Sequence, residues 1–462
     1  MKKGAQDILI DVSPGETRAA WIDEAGVLQR FEIDRISMPS LVGGLYLGRV
    51  RTVEKGMNAA FVDIGVAEDA LLRHAKGVTE GERVIVEVTH DAGIFKGPTV
   101  TRHPSVIGRY LRYRPDQKDL MWSRGLGHGK DRARLEKELR HVLPHREGFF
   151  VRTSAREADA EGVAAEVAWA KERWAGISAR AKHQKTPAEL VSPPGLIDRV
   201  LRDHTGPGRI VIDDRLAFGQ AKKSEWTRYP GLRQAIEPYD REEPLYDASG
   251  VTDQLAEAIV RVVPLAGGGN LVIDRTEAMM VIDVNLGDAA HRRPRDDAVY
   301  TLNLAAVGEV ARHIRVRNMS GLIVVDFITM RTRGHRQNLV KAMRAALGGD
   351  WVHCDVLGLT AGGVIEITRQ RAGRSLAEFY ERPHGKGTEP HPHAAALHGL
   401  RHALRLKGAG RPVLRADPSV ITVLEGPLRP ALDETARRMG QPLDLRPDPG
   451  RMEPDLFLER QR

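Results

Sequence analysis

The chain has 462 residues, of which 41% are hydrophobic and 29% are charged. This composition is typical of soluble globular proteins, and the length predicts several domains, not one core. No apolar run reaches the roughly 18 residues of a transmembrane helix, and no apolar segment follows the first lysines, so we expect neither a membrane span nor secretion. The single cysteine, Cys354, excludes an internal disulfide and fits the cytoplasm.

The charge balance favours a polyanionic partner. Lysine and arginine number 70 against 62 acidic residues, which gives a net charge of +8 and a sequence pI near 9.5. Nucleic acid is the first candidate, because its phosphates bind basic side chains with release of counterions. An arginine-rich surface that binds no nucleic acid is the alternative.

The first half of the chain predicts short strands followed by charged helices. Strands are expected over residues 8–12 and 17–22. Between Gly43 and about Val100 the chain is rich in glycine and β-branched residues, and its short strands at regular spacing predict a small barrel of the OB type. These strands are expected at 45–50, 59–65, 70–72 and 83–88, and the helices at 130–142 and 155–182. The two prolines within 191–195 indicate a boundary.

The second half predicts alternating strands and helices. Nearly unbroken apolar runs at 279–282 and 322–325 are typical of buried parallel strands. Apolar residues recur at every fourth position between them and predict a helix over 299–317. A further helix at 337–347 and a strand at 364–367 follow. Glycine, proline and histidine within 383–393 predict a linker, and the remaining residues suffice for one small terminal domain.

Each of the two apolar strands ends in an aspartate, Asp283 or Asp326. A right-handed crossover through the intervening helix would make the strands neighbours and bring both carboxylates to one edge of the sheet. Two such carboxylates repel unless a cation lies between them, and Mg²⁺ binds to one or two carboxylates while keeping several waters. Asn285 would point to the same side. Alternatively, aspartates at strand ends serve only as helix caps or turn formers.

Basic residues surround this predicted site and suit the positioning of a phosphodiester backbone. The alternative is a solvated basic face. The residues concerned are Arg315, Arg317, Arg331, Arg333, His335, Arg336, Arg369 and Arg371.

Several ordered motifs resemble the ribonuclease E/G family. They lie at 277–285, 301–306, 321–330 and 369–371, and an N-terminal block over 48–65 resembles the S1 domain that the family carries. The match is collinear from about residue 7 to residue 380. The resemblance implies an α/β multidomain fold, with an RNase H-like subdomain (1–35 and 194–256), an S1 (OB-type) barrel (36–106), a 5′-sensor region (107–193), a DNase I-like catalytic domain (257–382), a linker (383–394) and a small C-terminal domain (395–462).

The implied activity is that of an Mg²⁺-dependent endoribonuclease that is specific for single strands and leaves 5′-phosphate and 3′-hydroxyl ends. By resemblance, Asp283 and Asp326 hold one Mg²⁺ and Asn285 supports them. Arg152 and Thr153 fall on the pair that recognises a 5′-monophosphate. The implied RNA contacts are Phe61, Lys96, Arg317, Arg369 and Arg371.

The chain departs from the family pattern in three places. The cysteines of the family's zinc link are absent near Pro383, so zinc is not expected, and a homodimer would have to form without it. An all-histidine replacement is the alternative, with His384, His391, His393 and His398 as its only ligands. Leu71 stands at a second aromatic position of the barrel, which implies weaker base stacking. His353 replaces an arginine partner of the 5′-phosphate, which implies weaker or pH-dependent sensing.

The expected partners are single-stranded RNAs, namely rRNA precursors and mRNA, in the cytoplasm. Two rival functions remain at this stage. One is a non-catalytic RNA-binding protein of the S1 type, against which the intact Asp283, Asn285 and Asp326 argue. The other is a DNA nuclease or another phosphodiesterase on the same scaffold, since only the 2′-hydroxyl distinguishes RNA from DNA at such a site.

Overall fold

The chain forms two compact units of mixed α/β structure. In this computed structural model the described residues are 6–92, 97–127, 129–144, 146–266, 268–286, 296–384 and 387–460. The first unit comprises residues 1–38, 207–218 and 237–462, and the second comprises 39–206 and 219–236. Within the described part of the chain, no helix combines the length and the apolar composition that crossing a bilayer requires.

The first unit begins with a sheet built from segments that are distant in sequence. Its five strands, in spatial order, are Ile236–Pro238, Ile210–Ile212, Asp7–Ser13, Glu16–Ile22 and Leu28–Arg35. Strand Asp7–Ser13 is antiparallel to the next strand along the chain and parallel to Ile210–Ile212. The helices Leu245–Ala248 and Val251–Ile259 contribute to the core beneath it. The two predicted N-terminal strands are thereby confirmed.

A second sheet of this unit contains the two aspartate-terminated strands. Its order is Val262–Pro264, Asn270–Arg275, Met279–Asn285, Gly321–Asp326, Ile365–Arg369 and Cys354–Leu359. The central pair, Met279–Asn285 and Gly321–Asp326, is parallel, as predicted, and the other neighbours are antiparallel. The helices Asp296–Val316 and Arg333–Leu347 follow the two central strands, as predicted, and pack onto the sheet.

The central strands are not buried on both faces, although their apolar runs predict this. Ile282 and Val325 are fully buried and share a core with the two helices, whereas Val281 and Val324 on the opposite face are partly exposed. The prediction is wrong because it assumed a parallel sheet with helices on both faces. Most pairs in this sheet are antiparallel, and such sheets commonly pack only one face.

The predicted linker over 383–394 is also wrong. Helix Leu376–Tyr380 leads into a hairpin of Glu381–His384 and Gly387–Pro390, and helix Pro392–Ala403 follows directly. His391 caps this helix, since its Nδ1 accepts the backbone N–H of His393 at 3.2 Å. Pro392 suits the first turn because it has no N–H to leave unpaired. The glycine and proline content therefore marks a turn and a helix start.

The end of the chain builds a small sheet with its own core, in keeping with the expected small terminal domain. Strand Arg411–Ala416 lies between Asp444–Pro447, which is parallel to it, and Asp455–Glu459, which is antiparallel. The helices Pro392–Ala403, Pro418–Glu425 and Arg429–Met439 supply buried residues to this core.

The second unit contains a closed five-stranded barrel, which confirms the predicted small barrel. Its strands follow the order Leu45–Glu54, Ala59–Asp63, Ala70–Arg73, Thr99–Thr101 and Arg83–His90, and the last pairs with the first. A Cβ at Gly48 would lie 2.5 Å from Cγ1 of Val62, so only glycine fits at this position of the strand. Strand Ala188–Val191 extends the same sheet from Leu45–Glu54.

The rest of the second unit is a four-stranded sheet with two longer helices. The strands follow the order Leu120–Trp122, Gly148–Val151, Leu111–Arg114 and Val106–Ile107. Helices Lys130–Leu139 and Ala160–His183 confirm the two predicted helices. The second helix begins at Ala160 and not at the predicted residue 155. Asp159 caps it by accepting the N–H of Gly162 at 2.7 Å. Shorter helical segments of the chain are Lys55–Met57, Arg124–Leu126, Thr153–Glu157, Leu196–Asp203, Arg215–Ala221, Glu225–Arg228 and Leu232–Ala235.

Candidate active site

Asp283 and Asp326 lie directly opposite each other on the two central parallel strands. Their pairing continues the register in which Ile282 faces Val325. Neighbouring strands are about 4.8 Å apart, and residues in register on parallel strands point to the same face. The two carboxylates therefore leave the sheet side by side at its carboxyl edge, as the sequence predicts.

Asn285 lies on the same face as Asp283, because both alternate with the buried Ile282 and Val284. Its Nδ2 donates a hydrogen bond to Oδ2 of Asp283 at 2.8 Å. The amide therefore orients one carboxylate oxygen and leaves the other oxygen of Asp283 available for a ligand.

A pocket of about 520 Å³ opens at this edge of the sheet. Its volume falls in the range of about 300–1,000 Å³ that is usual for ligand sites. The segments that end the two central strands form its wall, which consists of Asp283, Val284, Asn285, Leu286, Asp326, Phe327, Ile328 and Thr329. Sequence reasoning did not single out the last three, although each lies within three residues of Asp326.

The donor set of this pocket fits Mg²⁺. Among the described residues, the Asp326 carboxylate accepts no hydrogen bond, and Asp283 accepts one only from Asn285. The same part of the chain contains no group of three or more histidine, cysteine or acidic side chains that could hold a metal ion. Two carboxylates match a cation that keeps water in most of its shell, whereas a structural zinc site needs four protein ligands.

Basic side chains follow the pocket wall directly. Arg331 and Arg333 are exposed, and neither side chain has a hydrogen-bond or ion-pair partner within the described ranges. Arg336 instead donates to the carbonyl oxygen of Met330 at 3.2 Å. The first two guanidinium groups are therefore free to contact a phosphate next to the pocket.

Two of the arginines that were expected to bind RNA have structural partners instead. The guanidinium of Arg369 is buried, with a bidentate ion pair to Asp350 and a hydrogen bond to Asn318. Arg317 donates to the carbonyl oxygen of Val260 at 2.7 Å and to Nδ1 of His313 at 3.1 Å. Burial and the nearby Arg312 lower the pKa of Arg317 to about 10. Both guanidinium groups therefore have structural partners, and their expected RNA contacts remain predictions.

Arg371 is half exposed and pairs with Glu378 at 2.9 Å. Such a surface ion pair contributes little to stability, so a phosphate can compete for the guanidinium. The RNA contact of Arg371 remains a prediction.

Comparison with known proteins identifies the family of the chain. Residues 105–372, more than half of the chain, match the sequence profile of the Ribonuclease E/G family. Ribonuclease G of Salmonella typhimurium and Ribonuclease G of Escherichia coli K12 are each 31% identical to the chain, over 96% of its length and 97% of theirs. Ribonuclease E of a Nostoc species is 30% identical over 79% of the chain and 55% of that protein.

The chain belongs to the ribonuclease E/G family. The resemblance noted in the sequence is thereby confirmed, and so is the expectation of an enzyme, since the family consists of ribonucleases, which are hydrolases.

Arg152 and Thr153, which the sequence predicts to recognise a 5′-phosphate, face different partners. The Arg152 guanidinium donates to the Asp203 carboxylate at 2.7 Å and to the carbonyl oxygen of Gly108 at 2.5 Å. The Thr153 hydroxyl lies 2.8 Å from the hydroxyl of Ser123. The ion pairs with Arg152 and Arg202 hold the pKa of Asp203 below its usual range, although its burial opposes this. The role of the pair stays a prediction.

In the barrel, Phe61 and Leu71 are cross-strand neighbours, and both are partly exposed. Leu71, which implies weaker base stacking than an aromatic residue, therefore lies directly beside the ring of Phe61. Lys96 lies outside the described residues, so its expected RNA contact stays a prediction.

The histidines that could replace the family's zinc cysteines do not form a metal group within the described ranges. The rings of His391 and His393 are in edge contact, with 4.8 Å between their centres. Burial lowers the pKa of His391 to about 4 and lowers that of His393. His398 packs against His402, and the side chain of His384 lies outside the described residues. His353 is exposed, with Nε2 3.0 Å from Asp355.

Proposed function

We propose that the chain is an Mg²⁺-dependent endoribonuclease that cuts single-stranded RNA and leaves 5′-phosphate and 3′-hydroxyl ends. The observation that carries this proposal is the register of Asp283 with Asp326 at the mouth of the pocket. Family membership supplies the substrate class, since the relatives are named ribonucleases G and E.

In the proposed reaction, Asp283 and Asp326 hold Mg²⁺ and Asn285 keeps the Asp283 carboxylate in place. The bound ion supplies Lewis acidity and lowers the pKa of a coordinated water. Arg331 and Arg333 orient the phosphodiester from the rim through charge-assisted contacts.

The same family membership supports the finer architecture. We assign residues 1–35 and 194–256 to the RNase H-like subdomain, 36–106 to the S1 barrel, 107–193 to the 5′-sensor region, 257–382 to the DNase I-like catalytic domain and 395–462 to the small terminal domain. The sheet that joins Asp7–Ser13 to Ile210–Ile212 supports the discontinuous first subdomain.

The proposed cellular role is processing or decay of rRNA precursors and mRNA in the cytoplasm, stimulated by a 5′-monophosphate at the Arg152 site. Phe61 would stack on bases without sequence preference, which suits a processing enzyme. A homodimer of this chain would form without a zinc link.

The test is cleavage of a 5′-monophosphorylated single-stranded RNA by the full chain, with and without Mg²⁺. The proposal requires metal-dependent internal cuts, with ends that a 5′-phosphate-dependent exonuclease and a 3′-hydroxyl-dependent ligase both accept. A DNA of the same sequence is the matched control. It differs from the RNA only in lacking the 2′-hydroxyl and in carrying thymine in place of uracil.

The outcomes separate the rival functions. Tight RNA binding with no cleavage at any Mg²⁺ concentration would favour a non-catalytic S1-type binding protein. Equal cleavage of the DNA would favour a general phosphodiesterase. Either result would overturn the proposal.

A further inference from the structure

The segment that forms one wall of the pocket is tied to a neighbouring helix by a single buried amide. Asn303 is completely buried in helix Asp296–Val316. Its Nδ2 donates to the carbonyl oxygen of Ile328 at 2.8 Å, and its Oδ1 accepts the N–H of Ile328 at 3.2 Å. The side chain of Asn303 therefore holds both the backbone N–H and the backbone carbonyl of Ile328, which lines the pocket.

A buried amide in this position is costly unless it is paired. Asn303 lies among the apolar residues Val299, Ala306 and Val307 on the buried face of its helix. An unpaired amide there would destabilise the fold, and an apolar residue would pack as well. The two hydrogen bonds to Ile328 offset this cost, and their geometric consequence is a fixed backbone two residues after Asp326.

The same helix holds this segment at a second point. Asp296, seven residues before Asn303 and hence on the same helix face, accepts the N–H groups of Arg331 at 2.9 Å and of Thr332 at 3.1 Å. Between the two, Tyr300 stacks on His335, with 4.2 Å between the ring centres and an interplanar angle of 9°. One helix face thus holds the chain from residue 328 to residue 335.

We propose that Asn303 is a positioning residue for the candidate active site, which fixes the pocket wall and thereby the direction in which the Asp326 carboxylate enters the pocket. It does not touch metal or RNA. This inference rests on the proposed function, because it assigns Asn303 a part in that reaction. A displaced Asp326 would still allow RNA to bind but would misplace the reacting groups.

The test is Asn303→Leu, which keeps the shape of the side chain and removes both hydrogen bonds. At saturating Mg²⁺ and RNA, kcat should fall by about ten- to a hundredfold, because small errors in placement have effects of that size. KM and RNA affinity should change little. Amide hydrogen exchange of the peptide over 321–332 should become faster, and this is measured without RNA.

The matched control is Thr435→Val, which also removes a buried hydrogen bond, from the Thr435 hydroxyl to the carbonyl oxygen of Ala431 at 2.8 Å. It should lower the melting temperature but leave kcat unchanged. An unchanged kcat in folded Asn303→Leu, or an equal loss of kcat in the control, would overturn the proposal.

If Asn303→Leu does not fold, Asp296→Asn takes its place. It should give a smaller fall in kcat with faster exchange over 327–332, and unchanged kcat despite faster exchange would overturn the proposal.

Failure of the proposed function gives a different result. In that case the wild-type protein shows no Mg²⁺-dependent cleavage, whatever the variants do. The exchange experiment then still decides whether Asn303 holds the pocket wall, and an unchanged exchange rate in Asn303→Leu would refute that.

Discussion

The guanidinium of Arg152 is bound to the carboxylate of Asp203, with 2.7 Å between Nη2 and Oδ1. Its other terminal nitrogen holds the carbonyl oxygens of Gly108 and Arg109. An arginine that reads a 5′-phosphate would have to share or exchange these contacts. Arg152 therefore has structural partners in addition to the recognition role that we propose for it.

We predict that Arg152→Ala slows cleavage of 5′-monophosphorylated RNA by about ten- to a hundredfold, the effect of losing a charge-assisted contact. Cleavage of the same RNA with a 5′-hydroxyl should be nearly unchanged. Arg114→Ala is the control, since Arg114 ends the neighbouring strand Leu111–Arg114 and, among the described residues, pairs with Asp119 alone. Equal slowing of both substrates would make Arg152 a purely structural residue.

The second prediction concerns the aspartate pair. Asp283→Asn or Asp326→Asn should lower Mg²⁺-dependent turnover by about a hundredfold or more, because each removes a charged ligand from the site. RNA binding should persist, and loss of carboxylate repulsion should leave the metal-free protein at least as stable. Turnover is measured over an Mg²⁺ titration. Asp274→Asn is the control, since Asp274 lies in the adjoining strand, pairs with Arg261 and does not line the pocket. Near-normal cleavage by Asp283→Asn at saturating Mg²⁺ would refute the assignment.

A third prediction follows from Asp213 in the N-terminal sheet. Burial, together with the neighbouring Asp11, raises the pKa of the Asp213 carboxyl to about 7, against about 3.9 in an unfolded chain. The folded state therefore binds more protons between these values, and its stability falls as pH rises from about 4 to about 7. Above pH 7 this contribution no longer changes.

Asp213→Asn should remove this loss of stability at higher pH, because an amide does not ionise. Its oxygen can still accept the N–H of Val12, which lies 2.9 Å from Oδ1 of Asp213. We expect a gain of order one to a few kcal/mol in the free energy of unfolding at pH 8 and little change at pH 4, measured by urea denaturation. Asp214→Asn, which removes an ion pair with Arg438, should give no gain at pH 8. A gain of equal size at both pH values for Asp213→Asn would contradict the prediction.

The fourth prediction concerns Arg401 of helix Pro392–Ala403. Its guanidinium contacts the buried carboxylates of Asp11 and Glu16 and the hydroxyl of Ser13. Arg401→Met keeps most of the side-chain volume but leaves these carboxylates with fewer partners, and it should cost about 3–5 kcal/mol. Arg405→Ala, which breaks a more exposed pair with Asp247, should cost less than about 1 kcal/mol. Urea denaturation of both variants decides, and equal costs would show that burial of the Arg401 pair has no effect.

The last prediction concerns assembly. We expect purified protein to contain far less than stoichiometric zinc, and a strong chelator to leave the oligomeric state unchanged once Mg²⁺ is restored. The physical reason is that the only thiol, Cys354, lies in the strand Cys354–Leu359 and outside the hairpin and helix that follow the catalytic segment. Elemental analysis and light scattering test this. Stoichiometric zinc that is lost together with a dimer would point to His384, His391, His393 and His398 instead.

Local patterns in the sequence predict the elements of the site well. The apolar runs before Asp283 and Asp326, and the spacing of the helix between them, predict both the parallel pairing and the edge at which the carboxylates meet. These features depend on residues close together in sequence. The same holds for the barrel, whose strands are joined by short connections.

The roles of single polar residues are harder to predict, because their partners are distant in sequence. Arg369 looks like any basic residue until Asp350, 19 positions away, neutralises it in the interior. Asn303 lies in the motif over 301–306, but the motif does not reveal its role, which depends on Ile328, 25 positions away. The linker prediction for the histidine-rich segment failed for a similar reason. Composition alone does not distinguish a histidine that caps a helix from a histidine in an irregular linker.

The parallel pairing of Ile8–Ile10 with Ile210–Ile212 has a consequence for how the protein is made. The first strand emerges from the ribosome with one edge unpaired and must wait for about two hundred further residues, which takes roughly 10–40 s at an elongation rate of about 5–20 residues per second. The barrel lies entirely within that interval and needs only local contacts, so it can fold first. We expect a nascent chain stalled before residue 207 to expose the unpaired edge of this strand, and an exposed edge can pair incorrectly with another chain.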